Sequence, residues 1–340
     1  MRHDRDLAVE LAAVIYDFAY QRQRLDLLEW GLQVAAWDGT HPLLSPALAT
    51  AAAAAWAAGE LDRAEEIARR GIRDAAAANQ PASARAVGQA ANLAMFAGDF
   101  TEAGALFEES QRLSRAEGRD VAALMCEVCV CQAMTYAGDA AGARMRLEGL
   151  RRRAARSRNP SAIAWAGYVT GQATAEVDLL AALAAYRAAV EQARTVDNRL
   201  FLGLARTAAV ELAAREASPQ DALAEFERVM GEWDELGNVA VQWWVLLHIS
   251  VLLTRLGFDR PAALLAGAFG AGGHRTWMLL GDDDRLQASI AALTERLDEQ
   301  TVRAAFAEGA ALGFDEAAAL AQRSIRAARV GEPAVCRPRP

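Results

Sequence analysis

An all-α chain of repeated helix pairs, stacked as a solenoid between helical caps, is the fold this sequence predicts, on three observations. A short pattern returns about every forty residues, the prolines before the C-terminal tail fall near expected helix starts, and no stretch alternates polar and apolar residues as a half-buried strand would. The pattern is clearest in Gly59-Glu-Leu-Asp-Arg-Ala64, Gly98-Asp-Phe-Thr-Glu-Ala103, Gly138-Asp-Ala-Ala-Gly-Ala143 and Gly257-Phe-Asp-Arg-Pro-Ala262. Val177 to Ala182 and Ala217 to Ala222 keep the spacing without the glycine. The positions of Ala64, Ala103, Ala143, Ala182, Ala222 and Ala262 differ by 39, 40, 39, 40 and 40.

Each copy reads as a helix, a tight turn at the glycine and a second, antiparallel helix. Glycine adopts the left-handed conformation that ends the first helix, an acidic residue suits the start of the second, and alanine lets the two approach closely. After the turn, Leu61, Ala64, Ile67, Ala68 and Ile72 fall at helical spacing. So do Phe100, Ala103, Leu106, Phe107 and Leu113, and again Leu223, Phe226, Val229, Met230 and Trp233. Pro42 or Pro46, Pro81 and Pro160 lie near starts of first helices, and Pro219 and Pro261 just past the turn, where a helix N-terminus tolerates a missing N–H.

Four divisions follow: residues 1–44 as a helical pair or cap without the glycine, 45–275 as the repeat array, 276–328 as capping helices, and 329–340 as a disordered tail with three prolines. In the first, helices are expected over Leu7 to Tyr20 and Leu25 to Trp37. In the third, they are expected over Asp284 to Leu297, Thr301 to Leu312 and Asp315 to Ile325.

These residues resemble the tetratricopeptide (TPR) family, whose repeat carries a small residue on helix A, a glycine at the turn, an alanine early in helix B and an aromatic four residues later. Ala91, Gly98, Ala103 and Phe107 match best, and Gly59, Ala64 and Ala68 less fully. The resemblance covers roughly residues 45 to 275 and implies a right-handed α-solenoid, although repeats of about forty residues exceed the 34 usual in that family. The stretch from Leu293-Thr-Glu-Arg-Leu297 through Phe306 to Leu312 and Phe314-Asp-Glu-Ala317 resembles the C-terminal end of large bacterial LuxR-type regulators that carry an NTPase module and a TPR-like array. That likeness implies the sensing or scaffolding part of a regulator, since neither an NTPase nor a helix-turn-helix module is evident here.

Composition narrows function by exclusion. Among 340 residues alanine fills 81 positions, and all 36 basic residues are arginine. Without lysine there is no Walker A lysine, no kinase ATP-pairing lysine and no Schiff base, because arginine cannot supply a deprotonatable amine. The net charge of -8 argues against a general phosphate-binding surface. The N-terminal stretch is interrupted by Glu10 and Asp17 and does not read as a signal peptide, and Ala47 to Ala58 is too short to span a membrane. A cytoplasmic protein is expected.

Three local features invite chemistry, each with a plainer alternative. Cys126, Cys129 and Cys131 include one CxxC but lack a second ligand pair at matching distance, and the four histidines at positions 3, 41, 248 and 274 are scattered. Packing cysteines are the simpler reading, metal or redox sensing the other. Arg151 to Arg158 reads as a solvated helix end, or else as a nucleic-acid contact that a steep salt dependence would reveal. Asp282, Asp283 and Asp284 precede Leu286 and read as a helix cap before a cation loop. No catalytic constellation, cofactor motif or metal set stands out, and a non-enzymatic protein is expected; an enzyme on a helical scaffold would centre on His248 or the Asp282 to Asp284 cluster.

The remaining signal is a ladder on successive first helices: Asn92, Gln132, Gln172 and Glu211, with Arg85 and Gln89 on the stripe of Asn92. By the TPR resemblance, these positions line a concave groove that takes an extended protein or peptide segment, and stacked amides would bond its backbone whatever its sequence. The same amides would equally well bond between neighbouring helices. In Val241-Gln-Trp-Trp-Val-Leu-Leu-His248, Trp243 and Trp244 point about 100° apart, so one is expected partly exposed, as an anchor beside His248, or packed on the next helix pair.

Overall fold

The computed structural model describes residues 2–37, 39–215, 218–271 and 282–330. Among them are seventeen α-helices and no strand. They form two compact units, Met1–Arg206 with Leu236–Asn238, and Thr207–Glu235 with Val239–Pro340. In chain order the helices are α1 (Arg2–Arg22), α2 (Leu25–Ala35), α3 (Leu44–Ala57), α4 (Leu61–Ala77), α5 (Ala84–Phe96), α6 (Phe100–Ala116), α7 (Asp120–Tyr136), α8 (Ala140–Ser157) and α9 (Pro160–Thr174). Then follow α10 (Leu179–Thr195), α11 (Arg199–Ala214), α12 (Pro219–Leu236), α13 (Val239–Arg255), α14 (Asp259–Ala271), α15 (Asp282–Leu297), α16 (Glu299–Ala310) and α17 (Phe314–Val330). The expected all-α helical repeat is present, and so are the two N-terminal and three C-terminal flanking helices.

The Gly-Asp pair explains why each hairpin turns where it does. Gly98 takes φ +74°, which lets the Asp99 N–H reach back to the Ala94 carbonyl at 3.0 Å and satisfy an orphan acceptor at the end of α5. The Asp99 carboxylate then accepts the Glu102 N–H at 2.9 Å and caps α6. Two adjacent residues thus close one helix and open the next. Gly138 and Asp139 repeat this, with bonds to Met134 and from Gly142. Where the glycine is lost, the α9–α10 turn runs through Ala175 in the right-handed region, and Asp178 still caps α10 through the Ala181 N–H. Ala217 lies outside the described residues.

A second series of left-handed residues occupies the turns between hairpins. Asn79, Gly118, Arg158, Asp197 and Gly237 have φ between 50° and 72°, at spacings of 39, 40, 39 and 40. Only two of the five are glycine, so the residue types conceal a beat as regular as the first. Gln23, with φ 52°, serves the same purpose between α1 and α2, where no glycine occurs.

The repeat alanines are what permit the close packing. Ala64, Ala103, Ala143, Ala182 and Ala262 are fully buried and Ala222 nearly so. The residues that carry the TPR resemblance meet in one core, where Ala91, Ala103 and Phe107 pack with Val130 and Ala133 of α7. Burying one such phenylalanine contributes roughly 1.5–3 kcal/mol, and it is shared between neighbouring repeats, so no hairpin has this core alone. In the second unit α13 is buried around nearly its whole circumference, and α14, α15 and α17 pack on it. Trp243 and Trp244 are therefore both buried, Trp243 at 5.5 Å edge-on to Phe314 at the start of α17.

Prediction for the turns: a Cβ at Gly98 would meet nothing within 4 Å, so Gly98→Ala isolates the left-handed backbone cost and should destabilise by about 1–2 kcal/mol. Arg158→Gly removes the corresponding strain and should stabilise by up to about 1 kcal/mol. Shifts of the urea midpoint followed by circular dichroism check both signs.

Candidate functional site

In the first unit the polar rungs lie on α5, α7 and α9. Arg85, Gln89 and Asn92 share one face of α5 by their spacing. Arg85 is not turned to a ligand: its guanidinium donates to the Ala13 carbonyl at 3.0 Å and to Asp17 at 2.6 Å, and lies 5.8 Å over the Tyr16 ring. Arg119 joins the same Asp17 carboxylate at 2.8 Å. Both arginines border a cavity of about 1090 Å³ lined also by Arg70, Leu113 and Glu117. Gln89 is buried and accepts the Asn92 amide at 3.4 Å.

The next two rungs bond to each other. Gln132 Nε2 donates to Gln172 Oε1 at 3.0 Å, and Gln172 Nε2 donates to the Tyr136 and Tyr168 hydroxyls at 2.9 and 3.0 Å. Gln172 is buried and spent, whereas Gln132 and Asn92 are half-buried and their carbonyl oxygens accept no donor from the described residues. The tyrosines that hold Gln172 were not singled out from the sequence. Their position four residues to either side of a rung, Tyr136 after Gln132 and Tyr168 before Gln172, was the available signal.

Cys126, Cys129 and Cys131 lie along α7 as free thiols. Cys126 meets Ser110 at 3.3 Å, Cys129 receives the Trp165 indole N–H at 3.2 Å, and burial pushes their thiols up from the ordinary value. Raised thiols are poor nucleophiles and poor ligands. In the basic run, Arg153, itself exposed, pairs with Glu127 at 2.5 Å while Arg115 holds the same carboxylate as well. Burial opposes the charge on Glu127, yet its bonds to Arg153 hold it below the usual carboxylate range. The other arginines of the run remain exposed at the end of α8.

The second unit gathers what the sequence leaves apart. Glu211 of α11, His248 of α13 and Asp282 of α15, separated by 37 and 34 residues, are all buried and place their ligand-type atoms within 4.8 Å of one another. Asp282 opens α15, yet it is no solvated cap. It accepts the Trp244 indole N–H at 3.3 Å and Arg285 at 2.5 Å. Glu211 pairs with Arg215 at 2.9 Å and Arg285 at 3.3 Å. His248 stacks on Phe226 and meets the Trp244 ring edge-on, each at 5.5 Å. Burial pushes its pKa down to about 4 although Glu211 pulls the other way, so the imidazole is neutral at pH 7. A cavity of about 600 Å³ adjoins the three residues, lined also by Leu247, Val251, Arg255 and Ala292. Trp243, expected either as an anchor or packed on a neighbouring helix pair, is buried edge-on to Phe314.

The fold defines the chain as an all-α helical-repeat protein. A solved structure of similar fold is a Rap protein complexed with competence and sporulation factor, at TM-score 0.55 and 10% identity, over 96% of this chain and 100% of that one. At that identity the likeness carries the fold alone. No family model matches the sequence, and no curated protein matches it either. Among the described residues no helix is long and apolar enough to cross a membrane.

Prediction for His248: its folded pKa of about 4 lies below the unfolded value near 6.5, so the unfolded chain takes the proton first. Stability is undiminished above about pH 7, falls as pH drops from about 6.5 to 4, and levels below, a loss of about 3 kcal/mol. Urea midpoints across that window should fall for the native chain relative to His248→Gln, and parallel curves would refute the linkage.

Proposed function

We propose that this chain is a non-enzymatic module that binds a protein or peptide segment, as the sensing or scaffold part of a bacterial transcriptional or signalling regulator. The observation that carries the reading is the pair of half-buried amides, Asn92 on α5 and Gln132 on α7, whose carbonyl oxygens take no donor from the described residues. An extended segment laid across these first helices offers backbone N–H groups to both, while Gln172 and its two tyrosines fix the Gln132 amide so that less side-chain freedom is lost on binding. A similarly folded Rap protein was solved in complex with a competence and sporulation factor, which fits a binding role for the scaffold. The likeness of residues 293–317 to the ends of LuxR-type regulators supplies the regulatory context.

Selection of the full chain against a pool of random short peptides tests this. Enriched peptides should bind the native chain and lose about tenfold or more in affinity with Asn92→Ala/Gln132→Ala, the worth of two backbone hydrogen bonds. Undiminished binding by a double variant with native helical circular dichroism removes the amide grip, and failure to enrich any peptide removes the function.

A further inference from the structure

The buried trio of the second unit carries an inference independent of peptide binding. His248 Nε2 is buried with no hydrogen-bond partner, an expensive state for a polar atom. It lies 3.7 Å from Asp282 Oδ2, too far for an N–H···O bond. Yet 3.7 Å is the span between two ligand atoms that each sit about 2.1 Å from one cation, with an angle of about 125° at the metal. We infer that Glu211, His248 and Asp282 form a binding site for a first-row divalent transition cation of the Zn²⁺ kind, its ligands supplied by three helices and its fourth position open to the adjoining cavity.

The donor set selects the ion. One imidazole with two carboxylates suits Zn²⁺ or its neighbours, whereas Mg²⁺ and Ca²⁺ favour all-oxygen surroundings. Asp282 divides its work between its two oxygens. Arg285 bonds Oδ1, while Oδ2, which accepts the Trp244 indole N–H at 3.3 Å, keeps a second lone pair for the metal. Glu211 must loosen one of its contacts, because Arg215 reaches both of its oxygens and Arg285 reaches Oε1. Two guanidiniums beside a dication also oppose its entry, so occupancy is reversible rather than permanent. When the cation is bound, it ties α11, α13 and α15 together. The thiols of α7 offer no rival site, since Cys126 and Cys129 are engaged by Ser110 and Trp165 and Cys131 is fully buried.

The test is calorimetric titration of the chelator-stripped full chain with ZnCl₂, with MgCl₂ and CaCl₂ as controls, and with Co²⁺ as an optical probe. One Zn²⁺ per chain is expected, without Mg²⁺ or Ca²⁺ binding at comparable concentration, and the Co²⁺ spectrum should lack the thiolate-to-metal band that cysteine ligands give. His248→Gln should weaken Zn²⁺ at least about tenfold, the loss of one ligand. Arg285→Gln should tighten it several-fold by removing a neighbouring positive charge, an effect that a purely structural role for the trio would not produce. Absence of one-to-one Zn²⁺ binding, a thiolate band, unchanged affinity in a well-folded His248→Gln, or weaker binding in Arg285→Gln would overturn the assignment.

Discussion

A chain that reverses direction every twenty residues must end each helix without leaving its last carbonyls stranded against a neighbour, and the rest of the fold depends on how that is done. At most of the described turns the device is one left-handed residue, which at Gly98, Gly138 and Asp197 turns the following N–H back onto a carbonyl five residues earlier. Because both series of turns recur at nearly constant spacing, successive hairpins enter in the same register, and equivalent side chains face equivalent neighbours. Gln132 can meet Gln172 only because forty residues return the chain to the same phase.

Alanine makes that regularity compact. Its burial at each repeat position brings backbones close and removes side-chain entropy from the account, but it offers little apolar area of its own. Aromatic pairs between helices add to it, such as Trp56 edge-on to Phe96 and Trp165 stacked on Phe201. Gly171 shows how tight the fit is, since a Cβ there would lie 2.4 Å from the Tyr186 ring.

Arginine performs every cationic task in this chain, and its planar fork suits it to holding one carboxylate from two sides. Asp17 lies between Arg85 and Arg119, Glu127 between Arg115 and Arg153, and Glu211 between Arg215 and Arg285. Each of these carboxylates is met by two guanidiniums, and Arg85, expected on the groove stripe, is spent on one of them. His248 stands apart because its environment keeps it neutral and leaves one nitrogen unengaged.

The sequence by itself determined the helical class, the forty-residue register, the glycine turns with their acidic caps, and which first-helix positions carry the amides. All of these are local or periodic, set by backbone sterics and side-chain spacing within about one repeat. Tertiary structure alone decided the turns at Asn79, Arg158 and Asp197, where packing holds ordinary residues in a strained region that no motif advertises. It also decided that Arg85 faces Asp17, that both tryptophans of α13 are covered, and that Glu211, His248 and Asp282 converge. Those outcomes depend on which helix faces come together, and side chains more than thirty residues apart acquire a common chemistry only once packing has fixed the distance between them.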